Sequence, residues 1–148
     1  MMNWSPHITV AAVLERNNEF LLVEERIHGQ LVLNQPAGHW EQGETLLDAT
    51  RRETLEETAW RYEPTHLIGI YQWQHPESSE TYLRFSFTGK LMGHDITRKL
   101  DTGIERAIWL DREALIARGK DHRSSLVQQS IDDYLMGQRF DLSILVSG

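Results

Sequence analysis

The sequence predicts an α+β domain in which a mixed β-sheet packs against helices. Along the chain, strand-like segments are followed by a helix, further strands and further helices, which is the order expected of a layered α+β or α/β/α arrangement. The length of 148 residues is typical of one domain, so residues 1–148 are interpreted as a single domain. Hydrophobic residues make up 40% of the chain and charged residues 25%, an ordinary globular composition.

The N-terminal part is predicted to form three short strands. His7–Leu14 is rich in β-branched residues, which favour strands. Asn17 and Asn18 precede the apolar segment Phe20–Val23, and asparagine tolerates the left-handed turn conformation, so a hairpin is expected here. Leu31–Leu33 is the third short strand.

A helix is predicted from about Thr45 to Trp60. Thr45 is a favourable N-cap, and Asp48 lies three residues later, as in a capping box. Pro64 is expected to separate this helix from the next strand, Leu67–Trp73. The rest of the chain is predicted to form two strands, Tyr82–Leu91 and Ile104–Leu110, with the polar loop Gly93–Gly103 between them, and two helices, Asp111–Gly119 and Ser124–Met136.

Composition narrows the function. The net charge of −7 argues against a general nucleic-acid-binding protein, which normally carries a basic face. There is no cysteine, which excludes disulfides, thiol catalysis and zinc-thiolate sites. The N-terminus resembles no signal peptide, and no apolar run is long enough to span a membrane. We therefore expect a cytoplasmic protein that does not bind membranes, either a monomer or a homodimer.

The predicted helix carries a crowded group of acidic residues. At about 100° per residue, Glu53, Glu56 and Glu57 fall within an arc of roughly 100°. Glu53 and Glu57 are a like-charge pair one turn apart, which costs a helix roughly 0.2–0.5 kcal/mol. A hard divalent cation, which prefers oxygen ligands, would stabilise such a group. The alternative is a solvated acidic face without a ligand.

The segment GHWEQGETLLDATRRETLEETAW resembles the Nudix box, G-x5-E-x7-R-E-U-x-E-E-x-G-U, where U is a bulky apolar residue. Six box residues are in register, namely Gly38, Glu44, Arg52, Glu53, Glu56 and Glu57. Two positions depart, since Thr54 occupies an apolar position and Ala59 a glycine position. The resemblance implies the Nudix α/β/α sandwich, with a mixed sheet and a catalytic loop-helix-loop, over residues 1–148.

The resemblance also implies a magnesium or manganese cofactor, with Glu44 and Arg52 orienting the carboxylates that bind it. The implied metal ligands are Glu53, Glu56 and Glu57, with the backbone carbonyl of Ala37 or Gly38. A cation of this kind neutralises phosphate oxygens and acidifies bound water.

The general base is expected among several acidic residues. In this family, a carboxylate on a later loop or strand often serves, and Glu105 is the first choice, ahead of Asp101 and Asp95. Glu56 or Glu57 is the alternative. For Glu105, an ordinary surface charge at a strand edge is the competing interpretation.

Substrate contacts are predicted outside the helix. Arg26, Gln35 and Arg84 are candidates for phosphate oxygens, because arginine offers a bidentate fork. Arg84 could instead be an outward-facing strand residue. Trp73, and also Tyr71, could stack on a planar ring, although core packing would equally explain an aromatic residue here. The histidines His7, His39 and His75 lack metal-ligand spacing and are interpreted as structural or surface residues.

The expected function is metal-dependent hydrolysis of a diphosphate linkage in a small phosphorylated molecule. Similarity extends beyond the box, through segments such as PHITVAAV, LNQPAGH and GQRF, to bacterial members of the family. It implies thiamine-precursor pyrimidine diphosphate, thiamine diphosphate and nucleoside tri- and diphosphates as substrates, with orthophosphate released. The alternatives are hydrolysis of a nucleotide-sugar, ADP-ribose or a dinucleoside polyphosphate, and a non-catalytic ligand sensor. A sensor would be expected to lack box glutamates, and none is missing.

Overall fold

The computed structural model describes residues 3–148, which form nine β-strands and three α-helices. The strands are β1 (His7–Ala12), β2 (Glu15–Arg16), β3 (Glu19–Ile27), β4 (Gln30–Asn34), β5 (Ala37–His39), β6 (Trp60–Gln74), β7 (Thr81–His94), β8 (Ile104–Leu110) and β9 (Phe140–Asp141). The helices are α1 (Leu46–Thr58), α2 (Arg112–Ala117) and α3 (Leu126–Leu135), with short 3-10 turns at Gly119–Asp121 and Leu142–Ile144.

The strands form two sheets. The first has the order β5-β1-β7-β6-β9, in which β1 runs parallel to β7 and antiparallel to β5, so this sheet is mixed. In the second sheet, β3 lies between β4 and β8 and also pairs with β2. The prediction of a mixed sheet is therefore confirmed.

Helices cover both sheets through separate parts of the core. Helix α1 packs on the first sheet, where Ala49 contacts a cluster that contains Val10, Leu67 and Phe87. Helices α2 and α3 cover the second sheet through a cluster formed by Val13, Phe20, Leu22, Leu33, Leu115, Val127 and Ile131. This arrangement agrees with the predicted α+β class. Within residues 3–148, no helix has both the length and the apolar character needed to cross a membrane.

The predicted cap of α1 and the predicted asparagine turn before β3 are both confirmed. Thr45 caps α1 by accepting a hydrogen bond from the Asp48 amide, and the Asp48 carboxylate accepts one from the Thr45 amide, which completes the capping box. Asn17 and Asn18 both have positive φ, 51° and 65°, in the two-residue turn that joins β2 to β3.

The prediction that Pro64 precedes the next strand is wrong. Helix α1 ends at Thr58, and β6 begins at Trp60 and runs through Pro64. Proline is tolerated because the register shifts directly after it, and because β9 pairs with β6 only at His66 and Leu67, which leaves one side of β6 free of a strand partner at Pro64.

Four further segments differ from the sequence prediction. Strand β7 runs to His94, so it takes up the first part of the predicted loop Gly93–Gly103. The short strands β2, β5 and β9 were not predicted, since two or three residues carry too little periodicity to be recognised.

Candidate active site

Strand β5, which precedes α1 in the chain, contacts two glutamates of the helix. The amide of Ala37 donates a hydrogen bond to Oε1 of Glu57 over 2.9 Å. At Gly38, a Cβ atom would overlap the carboxylate of Glu53, so the absence of a side chain allows this carboxylate to lie against the backbone of β5. Strand β5 therefore packs against α1 through the carboxylates of Glu53 and Glu57.

Arg52 links the acidic residues of this region. Its Nη2 and Nε donate to the two carboxylate oxygens of Glu44 over 2.8 and 3.0 Å, a bidentate pair. Its Nη1 donates to Oε1 of Glu53 over 2.8 Å and lies 3.4 Å from Oε1 of Glu56. Nη2 also donates to the carbonyl of His39, over 3.0 Å. Glu44 and Arg52 therefore hold the loop and the helix carboxylates in position.

A cavity of about 380 Å³ opens beside these carboxylates, between the two sheets. Six of the residues singled out from the sequence line it: Ala37, Gly38, Glu53, Glu57, Trp73 and Arg84. The cavity therefore combines acidic, basic and aromatic side chains that lie far apart in the sequence.

Glu53 and Glu57, which together form the acidic wall of the cavity, have raised pKa values because they are buried. Desolvation raises the pKa of Glu57, whose side chain is 8% exposed, to about 9, and the hydrogen bond from Ala37 only partly opposes this effect. Burial also raises the pKa of Glu53 to about 7, against the opposing effect of Arg52. The negative charges of Glu25 and Asp101 contribute to these shifts. Burial and, to a smaller extent, neighbouring negative charges thus both favour the protonated forms of Glu53 and Glu57.

Arg84 lines the same cavity and is only 6% exposed. Its Nη2 donates to the side-chain oxygens of Gln35 and Asn34 over 2.9 and 3.3 Å, while its Nε is buried without a partner. Burial lowers the pKa of Arg84 to about 10. Gln35 is itself buried, and its amide donates to the carbonyl of Val127 over 2.7 Å. The structure thus places Gln35 behind Arg84, where it holds the guanidinium.

Six of the residues selected from the sequence do not line the cavity, namely Gln35, Glu44 and Arg52, which hold lining residues in place, and Arg26, Glu56 and Glu105. Arg26 donates to Glu105 over 2.9 Å, and both side chains are about half exposed. The reason is the alternation along β3: Glu25 and Ile27 line the cavity, so Arg26 between them faces the other way. Glu56 is turned towards the outer surface of α1, where it lines a separate depression.

The aromatic residues differ in their surroundings. Trp73 is partly exposed, lines the cavity and packs against Tyr82, with ring centroids 5.6 Å apart. Trp73 also borders a more open groove beside α3. The hydroxyl of Tyr71 donates to Asp133 over 2.7 Å, so Tyr71 is fixed to α3. Of the two rings, Trp73 therefore has the better access to a ligand.

Several cavity residues were missed by sequence reasoning, chiefly Glu25, His39, Tyr82 and Arg123. The alternation of β3 gave a signal for Glu25 once the inward face was known. His39 was interpreted as structural or surface, yet it lines the cavity, and its Nε2 lies 3.1 Å from Nδ1 of His7. Arg123 lies in the loop before α3, and nothing in its sequence neighbourhood indicates a site.

The oxygen-rich acidic wall fits a hard divalent cation. Glu53 and Glu57 offer carboxylate oxygens next to the backbone of Ala37 and Gly38, and a bound cation would offset the cost that burial imposes on their charged forms. Among residues 3–148, no three acidic or histidine side chains are already converged as a metal-binding group. Glu56, which faces outward here, is the box glutamate that would have to turn to complete one.

The comparisons with known proteins agree with this geometry. The family model of the NUDIX domain matches residues 5–129. The chain therefore belongs to the Nudix family, and it is a Nudix hydrolase.

Individual relatives narrow the relationship. "Phosphatase NudJ" of Escherichia coli (strain K12) is 39% identical over 142 residues, which cover 96% of this chain and 92% of that protein, and NudJ of Shigella sonnei gives the same values. A solved NUDIX hydrolase from Nitrosomonas europaea is 47% identical with a TM-score of 0.95, covering 97% of this chain and 98% of that one. The protein is thus a Nudix hydrolase close to NudJ. Nudix hydrolases generally use divalent metal ions and cleave diphosphates.

Proposed function

We propose that this protein hydrolyses the diphosphate linkage of small ring-bearing phosphorylated molecules, with magnesium or manganese, and releases orthophosphate. The single observation that carries the proposal is one cavity whose lining combines Glu53 and Glu57 with the buried Arg84 and the partly exposed Trp73. Acidic oxygens on one side suit a divalent cation, a buried guanidinium on the other suits phosphate, and an indole suits a planar ring.

The bound cation supplies charge neutralisation at the phosphate and a more acidic water. Glu53 and Glu57, with the backbone carbonyl of Ala37 or Gly38, would hold it, and Glu56 would join them after turning inward. Arg52 keeps the carboxylate of Glu53 in place through its 2.8 Å hydrogen bond.

The general base is proposed to be a box glutamate. Glu57 accepts the Ala37 amide through Oε1, which leaves Oε2 to take a proton from water. Glu105 fits this role less well, since its carboxylate is paired with Arg26 outside the cavity lining. The role of Arg26 in phosphate binding is weakened for the same reason.

The substrates we favour are thiamine-precursor pyrimidine diphosphate, thiamine diphosphate and nucleoside tri- and diphosphates. A ring that stacks on Trp73 makes few demands on its substituents, so several ring systems would be accepted. Relatives support the reaction class, because the related NudJ proteins are phosphatases by name.

The test is a panel of these compounds with Mg²⁺ or Mn²⁺, with orthophosphate and pyrophosphate measured separately. We expect orthophosphate as the main product, and no turnover in excess EDTA. Pyrophosphate as the main product from nucleoside triphosphates would contradict the favoured substrates while leaving membership of the Nudix family intact. Turnover that persists in EDTA would contradict the proposed cofactor.

Trp73 provides a second test. Removing a ring that stacks on a base costs about 1–3 kcal/mol, so Trp73→Ala should raise KM roughly 5- to 150-fold for ring-bearing substrates. The matched control Trp73→Phe keeps an aromatic face and should recover most of the loss. If KM is the same for Trp73→Ala and the wild type, Trp73 contributes only to packing.

A further inference from the structure

Two arginines of the cavity have no acidic partner within residues 3–148. Arg84 bonds only to the neutral side chains of Gln35 and Asn34, and its Nε has no acceptor. Arg123 lines the same cavity, and no hydrogen bond or ion pair of the described residues involves its side chain. Carboxylates act on both groups only at longer range: the charge of Glu57 opposes the effect of burial on the pKa of Arg84, and Arg123 opposes the effect of burial on the pKa of Glu25. Neither arginine is hydrogen-bonded or ion-paired to a carboxylate of the described residues.

The two guanidinium groups are near enough to influence each other. Burial is the largest cause of the lowered pKa of Arg84, and the charge of Arg123 adds to it, while Tyr71 and Glu57 act in the opposite direction. A buried cation is costly unless an anion accompanies it. Two arginines without a directly bonded carboxylate, one of them with a buried Nε–H that has no acceptor, therefore indicate a place for an anion with several acceptor oxygens.

The two arginines differ in how deeply they are buried, and this difference indicates how a ligand would be oriented. Arg84 is buried, whereas Arg123 is partly exposed and also borders the open groove that begins at Trp73 and runs beside α3. A molecule that enters with its organic part in this groove would bring its far end to Arg84. That far end must be small and highly charged to fit beside a side chain that is 6% exposed.

The geometry points to Arg84 and Arg123 as a clamp for an unesterified terminal phosphate. This inference rests on the proposed function and narrows its substrate class. A terminal phosphate has three free oxygens and up to two charges, which match two guanidiniums, whereas a phosphate esterified on both sides has two free oxygens and one charge. The protein is therefore selective for diphosphates with one free end, and nucleotide-sugars, ADP-ribose and dinucleoside polyphosphates are poor substrates.

Arg123→Gln is the variant of choice, because Arg123 is partly exposed and its loss leaves no buried group unpaired. Lys90→Gln is the matched control, since it removes one positive charge at an exposed position of β7 that does not line the cavity. The substrates compared are ADP, which has a free terminal phosphate, and ADP-ribose, in which both phosphates are esterified. We expect Arg123→Gln to lower kcat/KM for ADP about 10- to 100-fold, the range of a charge-assisted hydrogen bond, with ADP-ribose unaffected.

A binding measurement separates this inference from the proposed function. Methyl phosphate, a monoester, should raise the melting temperature of the wild type and of Lys90→Gln in Mg²⁺, but raise that of Arg123→Gln much less. Dimethyl phosphate, a diester, should have little effect on any of them. Equal shifts from both compounds, equal loss of both activities in Arg123→Gln, or wild-type turnover of ADP-ribose as fast as ADP would overturn the clamp. Absence of any diphosphate hydrolysis together with a normal methyl phosphate shift would instead overturn the proposed function alone.

Discussion

Replacing Gly38 with alanine tests whether the backbone of β5 positions the carboxylate of Glu53. The new methyl group would overlap this carboxylate, which would have to retreat by about 1 Å, and a misplacement of that size can cost about 10²-fold in rate. The backbone at Gly38 needs no positive φ, so the fold should tolerate alanine, which also lowers the entropy of the unfolded chain. We therefore expect kcat to fall about 100-fold while the melting temperature stays the same or rises slightly.

The assay is steady-state hydrolysis with saturating Mg²⁺, beside thermal unfolding of the same samples. Gly93→Ala is the matched control, because a Cβ at Gly93 meets no atom within 4 Å and the residue lies on β7, outside the cavity lining. A double-mutant cycle with Glu53→Gln isolates the cause: if Gly38→Ala acts through Glu53, it adds little to the effect of Glu53→Gln. Full additivity, or an unchanged kcat in Gly38→Ala, would refute the reasoning.

Three more predictions follow from the same contacts. Glu57→Gln should lower kcat by several orders of magnitude with the fold retained. Glu44→Gln, which only weakens the hydrogen bonds to Arg52, should lower kcat about 10- to 100-fold. Equal losses in steady-state kinetics would contradict this division of roles. Thr54→Val should stabilise the protein by about 1 kcal/mol in denaturant unfolding, because it removes a fully buried hydroxyl without a partner, and a destabilised variant would contradict this reason. Because the pKa of Glu57 is raised to about 9, the metal-free protein should lose stability as pH rises from about 5 to 9. The increase in melting temperature caused by Mg²⁺ should grow over the same interval. Scanning fluorimetry with Mg²⁺ or EDTA at several pH values checks this, and an increase that shrinks with pH would count against it.

Spacing in the sequence was sufficient to predict α1, its cap and the residues that meet the loop before it. Thr45 and Asp48 act within one helical turn, and Glu53 and Glu57 are one turn apart, so local geometry determines their relation. The side of the cavity that carries Arg84, Trp73 and Arg123 was predicted less completely because it is assembled from distant strands and a loop. Arg84 and Trp73, which were selected from the sequence, line the cavity, but Arg123 is brought there by a connection that no local pattern encodes.

The sequence also did not show which face of a strand points towards the cavity. In β3, apolar residues alternate poorly, since Phe20–Val23 is buried throughout, so the pattern does not tell whether Glu25 or Arg26 faces the cavity. The choice depends on the pairing with β8, which brings Arg26 to Glu105 and leaves Glu25 inside. A shift of one residue would reverse this result, and that register is determined by long-range contacts.

The two departures from the Nudix box lie where they do not alter the cavity. Ala59 adopts φ 63° and ψ 12° at the end of α1, the left-handed conformation for which glycine is usual. The conformational cost for alanine is roughly 1–2 kcal/mol, and its buried methyl group recovers about 0.8 kcal/mol, so the loss is small enough for the fold to bear. Thr54 is buried on the core side of α1, away from the carboxylates. Neither residue contributes an atom to the acidic wall.

Strand β1 holds the acidic and the basic sides of the cavity at a fixed separation. On one side, β1 pairs with β5, where Val10 lies opposite Gly38, the residue that contacts Glu53. On the other side, β1 pairs with β7, where Thr9 lies opposite Arg84. Neighbouring strands are about 4.8 Å apart, so the backbones that carry the two sides are separated by roughly 10 Å across β1. Because this separation of the two backbones is determined by backbone hydrogen bonds, Gly38, which contacts Glu53, and Arg84 keep their positions on either side of β1.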